Sequence, residues 1–419
     1  MLTNLENKPS LFLRPRQTDR KVLESVNTIG CYDGIHLGTN MPPFIVRLVN
    51  QLGKNAFNDP VTYLFALPAK KLINENGKVK PSIKRLGEKY GPLISKIVGK
   101  RALRPDDILK SKKNIISFVK HVTDLQVEQF EGQQFLLNPY YDKYSKWASS
   151  EAVALNIPSN HVPNVVIPPY FFFTTHGDDW YQASIECAKS SLSLSNKPIY
   201  PTLLFSRKLL LDELAIHRVI DDFTNLKVEG YFIWPNDFNE EDELKDSLIG
   251  LIKLVKGLSK TGRTVFKLYG SYFSLLLYAY GLKGFSCGLG YGISKNAFAY
   301  TSRGGGVFEP KYYIPRLHRS LELEDAERLL RAYPTLRCGC QICTSIYGNN
   351  MDGFMRMREN GHCELHFLKN RYSEINLLAK KGVAGALDTL RETLKEFEGN
   401  LIVNTYSLKN WLEVINLNS

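Results

Sequence analysis

The sequence predicts an α/β fold: eight parallel strands closed into a (β/α)8 TIM barrel, with a helical appendage at the C-terminal end. Three observations predict it. Short β-rich runs alternate with helical stretches from about residue 28 to 293, the runs number eight, and the alternation stops before a cysteine cluster at 338–343. Parallel strands need a helix-length return, so this alternation signals a parallel sheet with crossover helices. Eight such units over about 265 residues match the usual size of the barrel. An open doubly wound sheet is the second architecture, because the first three units are long and irregular.

In chain order, the expected strands begin with Thr28 to Leu37, Val61 to Leu67 and Gln134 to Leu137. Val165 to Thr174 follows, and its run Tyr170-Phe-Phe-Phe173 has the unbroken apolar character of a strand covered on both faces. Then come Ile199 to Phe205, Val228 to Trp234, Thr264 to Tyr269 and Gly284 to Tyr291, separated by helical stretches near Trp180–Leu194, Asp212–Phe223, Glu243–Ser259 and Phe273–Tyr280. The C-terminal ends of such strands form the working face. After residue 293 a turn at Gly304-Gly-Gly306 leads to a helix over Glu322–Ala332, the cysteine cluster, and an amphipathic stretch over Glu364–Phe397; Leu401–Thr405 is a last short strand or a coil. The expected division is a barrel over 1–300, with a basic helical insertion near 78–120, and an appendage over 301–419.

The 419 residues are 43% hydrophobic and 23% charged, the balance of a folded domain. Apolar runs such as Ser274–Tyr278 fall far short of the ~20 residues that cross a bilayer, and the N-terminus lacks the basic and apolar regions of a secretory signal. The expected location is the cytoplasm. Seven cysteines, an odd number with three packed into six positions, do not form a secreted disulfide framework; Cys31, Cys187, Cys287 and Cys363 read as scattered buried thiols. The net charge of +12 is concentrated: between Lys78 and Lys120 there are thirteen Lys or Arg against three acids. Such a block reads as a phosphate-binding surface, DNA or tRNA, against the alternative of a solvated helix face that keeps the protein soluble.

Cys338, Cys340 and Cys343 offer three soft thiolates in one turn, the ligand class zinc takes in Cys3His sites. His362, Cys363 and His366 are candidates for the fourth ligand; His366 is preferred because it lies near the start of a helical stretch that aims its imidazole at the loop. Four protein ligands leave no open position, so the ion's role is structural.

A barrel followed by Cys-x-Cys-x-x-Cys and then a helical His resembles the tRNA-guanine transglycosylase superfamily. The run 163–174 with Glu186-Cys-Ala-Lys-Ser190 is similar to that family's fourth strand and helix, Gly281–Gly288 to its eighth strand, and Cys363–Lys369 to its histidine-bearing helix. The resemblance covers roughly residues 160 to 380. It implies exchange of guanine for a 7-deazaguanine in nucleic acid through a covalent aspartyl–ribose link, a homo- or heterodimer, and, for divergent members, a place in DNA-modification or anti-phage defence clusters.

The sequence departs from that pattern where the chemistry sits. The family's nucleophilic aspartate, in Phe-Asp-Cys, corresponds to Ser286 in Phe285-Ser286-Cys287. A hydroxyl must be deprotonated to attack, and no histidine lies near it in the sequence. The second family aspartate has no counterpart in 61–66, aromatics at Phe172-Phe173 replace the base-reading aspartate, and Trp234-Pro-Asn-Asp237 replaces a Gly-Gly turn. The candidates for a rebuilt site are Asp237, with Asn236 as hydrogen-bond donor, and Asp33 with His36 as an acid and base pair. His176, Asp178 and Asp179 form a third polar group, with the two acids reading better as helix caps. Trp234, Tyr269 and Tyr291 are candidates to stack on a nucleobase, and Gly288 and Gly290 to let backbone approach a ligand. Two functions follow as expectations: a transglycosylase-like enzyme with a substituted site, or a nucleic-acid-binding or regulatory module without base exchange.

Overall fold

A computed structural model describes residues 8–16, 19–23, 25, 30–39, 55–128, 164–290, 292–299 and 309–418. Within them the strands β1 (Ser10–Leu13), β2 (Gly34–Gly38), β3 (Asn55–Asp59), β4 (Phe172–Phe173), β5 (Thr202–Ser206), β6 (Gly230–Asn236), β7 (Thr264–Lys267) and β8 (Leu282–Cys287) form one sheet. Its order is β3-β2-β1-β8-β7-β6-β5-β4, and every pairing in it is parallel. The sheet curls through 203°, so the α/β class and the eight parallel strands stand, but as an open half-barrel rather than a closed one.

The opening lies between β3 and β4, and its cause is local. Pro168 and Pro169 precede β4 and carry no N–H to donate to a ladder. The segment expected as a ten-residue strand therefore pairs only at Phe172–Phe173 and through a single bridge from Val166 to Ile199. Scattered backbone and side-chain hydrogen bonds stand here in place of a ladder. Asn164 N donates to Ala56 O at 3.1 Å and Ala56 N to Asn164 Oδ1 at 2.8 Å. Gln126, on the helix Lys112–Glu128, pairs with both polar groups of the Ile167 backbone.

The first third of the chain differs most from expectation. β1 was not anticipated, since four residues ending at Arg14-Pro15 are too short for a periodic signal. In the first expected strand, pairing runs over Gly34–Gly38, and Thr28 lies outside the described residues. The run expected as a second strand, Val61 to Leu67, is a 3-10 helix over Thr62–Ala66; the strand is Asn55–Asp59, and the chain turns at Pro60 and Val61, whose φ is 46°. Gln134–Leu137 and Gly304–Gly306 fall outside the described residues.

The sheet's concave interior is filled by rings. Phe12, Phe57, Phe232 and Phe266 interlock with centroids 4.5 to 6.0 Å apart, at depths where no solvent reaches. Glycines in the strands make the room: a Cβ on Gly34, at the start of β2, would lie 2.2 Å from the Phe12 ring, and one on Gly284, within β8, 2.4 Å from Phe266. Above this layer, toward the C-terminal strand ends, the interior turns polar.

The basic insertion is helical, over Pro81–Lys89, Pro92–Ile97 and Pro105–Leu109, leading into Lys112–Glu128. The C-terminal part adds an antiparallel hairpin, β9 (Lys311–Ile314) with β10 (Arg319–Glu322), and helices at Leu323–Ala332, Gln341–Ile346, His362–Glu396 and Tyr406–Asn418. The long helix breaks at Gly382, where φ is 67°. The run Leu401–Thr405 is a coil and not a strand: Leu401 is fully exposed, Val403 is buried in the core, and the chain bends there into the last helix. Buried side chains of this part and of β5 to β8 make one continuous core, with Trp411 donating to Glu240 O at 2.9 Å across the junction. Among the described residues no helix is long and apolar enough to cross a membrane.

Candidate functional site

Two groups of residues have the geometry of sites, one in the appendage and one at the mouth of the half-barrel. In the first, one donor atom from each of Cys338, Cys340, Cys343 and His366 lies within 4.8 Å of all the others. His366 Nδ1 is 3.4 Å from Cys340 Sγ and 3.2 Å from Cys343 Sγ. A tetrahedral ion with bonds of about 2.0–2.3 Å separates its ligands by about 3.3–3.8 Å, so the donors are spaced to hold one.

The surroundings orient the ligands. His366 Nε2 donates to Tyr313 O on β9 at 2.6 Å, which turns Nδ1, with Asn370 Nδ2 3.1 Å away, toward the sulfurs as the nitrogen a metal would take. Tyr312 stacks on the His366 ring at 4.3 Å and brings its hydroxyl to 3.2 Å from Cys343 Sγ. Cys340 caps the helix Gln341–Ile346, so the third thiolate sits on a rigid turn. Of the other expected donors, His362 Nδ1 faces Arg356 O at 3.1 Å and Cys363 is buried away from the cluster.

The second group gathers where the strands end. Ser286 on β8 and His36 on β2, 250 residues apart, meet with Oγ 3.0 Å from Nδ1. On the far side of the imidazole, Nε2 lies 3.4 Å from Oδ2 of Asp59, the last residue of β3. Asp59 is held from elsewhere as well: Tyr170 OH donates to it at 2.6 Å and Val61 N at 2.9 Å. All three members are essentially without solvent contact.

Protonation follows from this packing. Burial drives His36 down to about 4, with the charges of Arg14 and Lys295 adding to it and the hydrogen bond to Asp59 opposing. Burial pushes the Asp59 carboxyl up, but its bond to His36 and the nearby cations more than offset this and hold it at about 2. At neutral pH the pair is thus a neutral imidazole beside a carboxylate, a hydrogen bond rather than an ion pair. A carboxylate only accepts, so Nε2 carries the proton and Nδ1 is free to take one from Ser286.

Aromatic residues wall the same mouth. Trp234 packs on Tyr269 at 4.7 Å and edge-on against Tyr63 at 5.2 Å, and the Arg14 guanidinium lies 4.8 Å from the Tyr269 ring centre. Tyr269 N donates to Ser286 Oγ at 3.4 Å, and its hydroxyl is buried with no partner among the described residues. The backbone is strained here: Val61, Asp237 and Tyr269, which follow β3, β6 and β7, all have positive φ, of 46°, 56° and 60°. Strain of this kind on β-branched or bulky residues persists only where the surroundings impose it, and it gathers at functional sites.

The expected site residues divide accordingly. His36, Ser286, Trp234, Asn236 and Tyr269 come together, with Asn236 Oδ1 accepting from Ala297 N at 2.6 Å. Asp237 is exposed at the rim, its N–H donating to Lys295 O. Asp33 does not join His36: it precedes β2, at the opposite end of the strand, and its carboxylate accepts from Leu11 N at 2.9 Å, tying β1 to β2. Asp178 caps the helix Asp179–Ser191 through Trp180 N, and His176 accepts from Arg218. Gly290, with φ of 76°, turns the chain past Lys311 and Phe367 toward the appendage; Gly288 is buried beside it, and Tyr291 lies outside the described residues.

Asp59, Tyr63, Arg14 and Lys295 were not anticipated. Asp59 was legible in principle, as the polar end Asn58-Asp59-Pro60 of a short apolar run; Lys295 follows no motif. Comparison of the sequence with protein-family models and with curated proteins gave no match.

Proposed function

We propose that this chain is a transglycosylase-like protein that acts on nucleic acid, or on a 7-deazaguanine-type base, through a rebuilt site at the mouth of a TIM-barrel-like sheet. The observation that carries this reading is the chain Ser286–His36–Asp59, which supplies the base that a serine nucleophile requires. Ser286 stands at the position that the resemblance gives to the nucleophile. Its Oγ would bond to C1′ of the nucleoside while the C1′–N bond breaks and its electron pair leaves with the base. His36 Nδ1 takes the serine proton, Asp59 stabilises the imidazolium, and the same proton returns to Oγ when an incoming base restores the nucleoside. Trp234 and Tyr269 offer ring faces for the base, and Asn236 an amide at its edge.

Zinc suits the three thiolates and one imidazole of Cys338, Cys340, Cys343 and His366, and with no ligand position left open it would brace the appendage. Nucleic acid is the expected partner of the basic insertion, where Lys84, Lys96, Lys100, Lys112 and Lys113 are exposed and carry no ion pair among the described residues.

A second reading, a binding module without base exchange, is favoured by one observation: the Lys295 side chain already lies among the rings at the mouth. Incubation of the purified protein with tRNA or DNA and a labelled 7-deazaguanine separates the two. Incorporation that falls by about 10²-fold or more in Ser286→Ala and in Asp59→Asn supports the enzyme. Incorporation unchanged in Ser286→Ala removes the proposed nucleophile. Salt-sensitive binding with no incorporation supports the module.

A further inference from the structure

Residues 292–299 leave β8 and cross the mouth as a strap. Trp234 Nε1 and Asp237 N both donate to Lys295 O, at 3.2 and 3.0 Å, and so fix the strap's backbone over the strand ends. The side chain is turned inward. Its Nζ donates to Tyr63 OH at 2.8 Å and lies 5.0, 5.4 and 5.5 Å from the ring centres of Trp234, Tyr269 and Tyr63. No carboxylate pairs with Lys295 among the described residues; Asp59, whose charge reaches it, is engaged by His36 and Tyr170.

Two effects compete at this amine. Ring faces favour the ammonium by about 0.5–2 kcal/mol. Burial without a counter-ion, next to a second cation, favours the neutral form and is the stronger effect for lysine. Here burial, then the Arg14 charge, push Lys295 well below the ordinary lysine range, and Asp59 only partly opposes them. Lys295 keeps some solvent contact, whereas Ser286, His36 and Asp59 have essentially none.

We infer that Lys295 is a nucleophilic amine for a carbonyl ligand, and that this ligand is the C1′ aldehyde of a base-free sugar in nucleic acid. The choice of ligand rests on the reading proposed above; the amine does not. In the step, Nζ bonds to C1′ and the aldehyde oxygen becomes a hydroxyl. Of the two protons that nitrogen gives up, relayed through Tyr63 OH, the first makes that hydroxyl and the second lets it leave as water. The product is an imine between Lys295 and the ring-opened sugar, with no change in oxidation state.

The test uses the full chain, an oligonucleotide with one preformed abasic site, and borohydride to reduce the imine to a stable amine. The expected result is a one-to-one covalent complex whose peptide map places the sugar on Lys295, reduced about 20-fold or more in Lys295→Gln and in Lys295→Arg. The glutamine variant keeps a neutral polar side chain among the rings, so a loss of trapping there with an unchanged melting temperature is a loss of the nucleophile and not of the fold. No adduct, or an adduct that persists in Lys295→Arg on the exposed lysines of 78–120, overturns the inference. Because the abasic site is preformed, trapping does not depend on base release. Absent trapping with intact base exchange sinks this inference alone, whereas trapping without exchange of any base sinks only the transglycosylase reading.

Discussion

His36 shows how much one position depends on its neighbours. In the unfolded chain its imidazole titrates near 6.5; in the folded protein it stays neutral down to about 4. The unfolded state therefore binds a proton in that interval and the native state does not, so stability is complete above pH 6.5 and is lost as pH falls through 4. The shift corresponds to something on the order of 3 kcal/mol. Asp59 acts lower, because its contribution is present above 3.8 and is lost only toward 2. Urea unfolding at a series of pH values should show a stability slope between 6.5 and 4 that is much weaker in His36→Gln. An equal slope in the variant would assign it to other groups. Burial keeps His36 neutral, and its contacts with Ser286 and Asp59 place that neutral imidazole where the proposed chemistry needs a base, so one packing arrangement bears on both acid sensitivity and mechanism.

At the scale of elements, the appendage depends on a few short pieces held by the cysteine cluster. β9, the turn at Cys338–Cys340 and the long helix from His362 meet at His366, whose Nε2 is tied to Tyr313 O. A metal ion bound there would join segments that are otherwise linked mainly by packing, so its binding energy would be folding energy. Metal analysis should give one ion per chain at this cluster. Chelation, or Cys343→Ser, should lower the melting temperature by on the order of 10 °C, since a core of this size moves a few degrees per kcal/mol. The barrel half from β5 to β8 should soften with it, because its buried side chains and those of the appendage form one core. A chelated protein with an unchanged melting curve would count against a structural ion. The half-barrel has its own device in the aromatic interior, where glycines in β2 and β8 let four phenylalanines interlock beneath the polar mouth.

For the whole molecule, charge and shape bear on the partner. The insertion packs its apolar faces through Tyr90, Phe118 and Phe171 and turns its lysines outward. Each phosphate neutralised by such a surface releases counterions, so affinity depends steeply on salt. Lys84→Glu, Lys96→Glu and Lys100→Glu together should reduce the slope of log K against log salt by about 2–3 while leaving the affinity for a free base unaltered. An unchanged slope would place the nucleic acid elsewhere. The basic surface and the mouth belong to the same end of the chain's first half: Tyr63 and Asp59, at the mouth, directly precede the insertion in sequence.

By itself the sequence determined the α/β class, six of the eight parallel strands near their observed places, the basic insertion and the Cys3His cluster. Each of these is written in neighbouring residues: an apolar run, a helical period, or three thiols within one turn. It also pointed to Ser286, His36, Trp234 and Tyr269 singly. Only the tertiary structure decided that Ser286 has a base, because His36 lies 250 residues away and meets it through the β1 strand that separates β2 from β8. It likewise decided that Asp33 belongs to the wrong end of its strand, that Asp59 backs the imidazole, that Lys295 enters the aromatic mouth, and that the sheet stays open where two prolines cannot donate. These are properties of register and of contact between distant segments, which spacing along the chain does not encode.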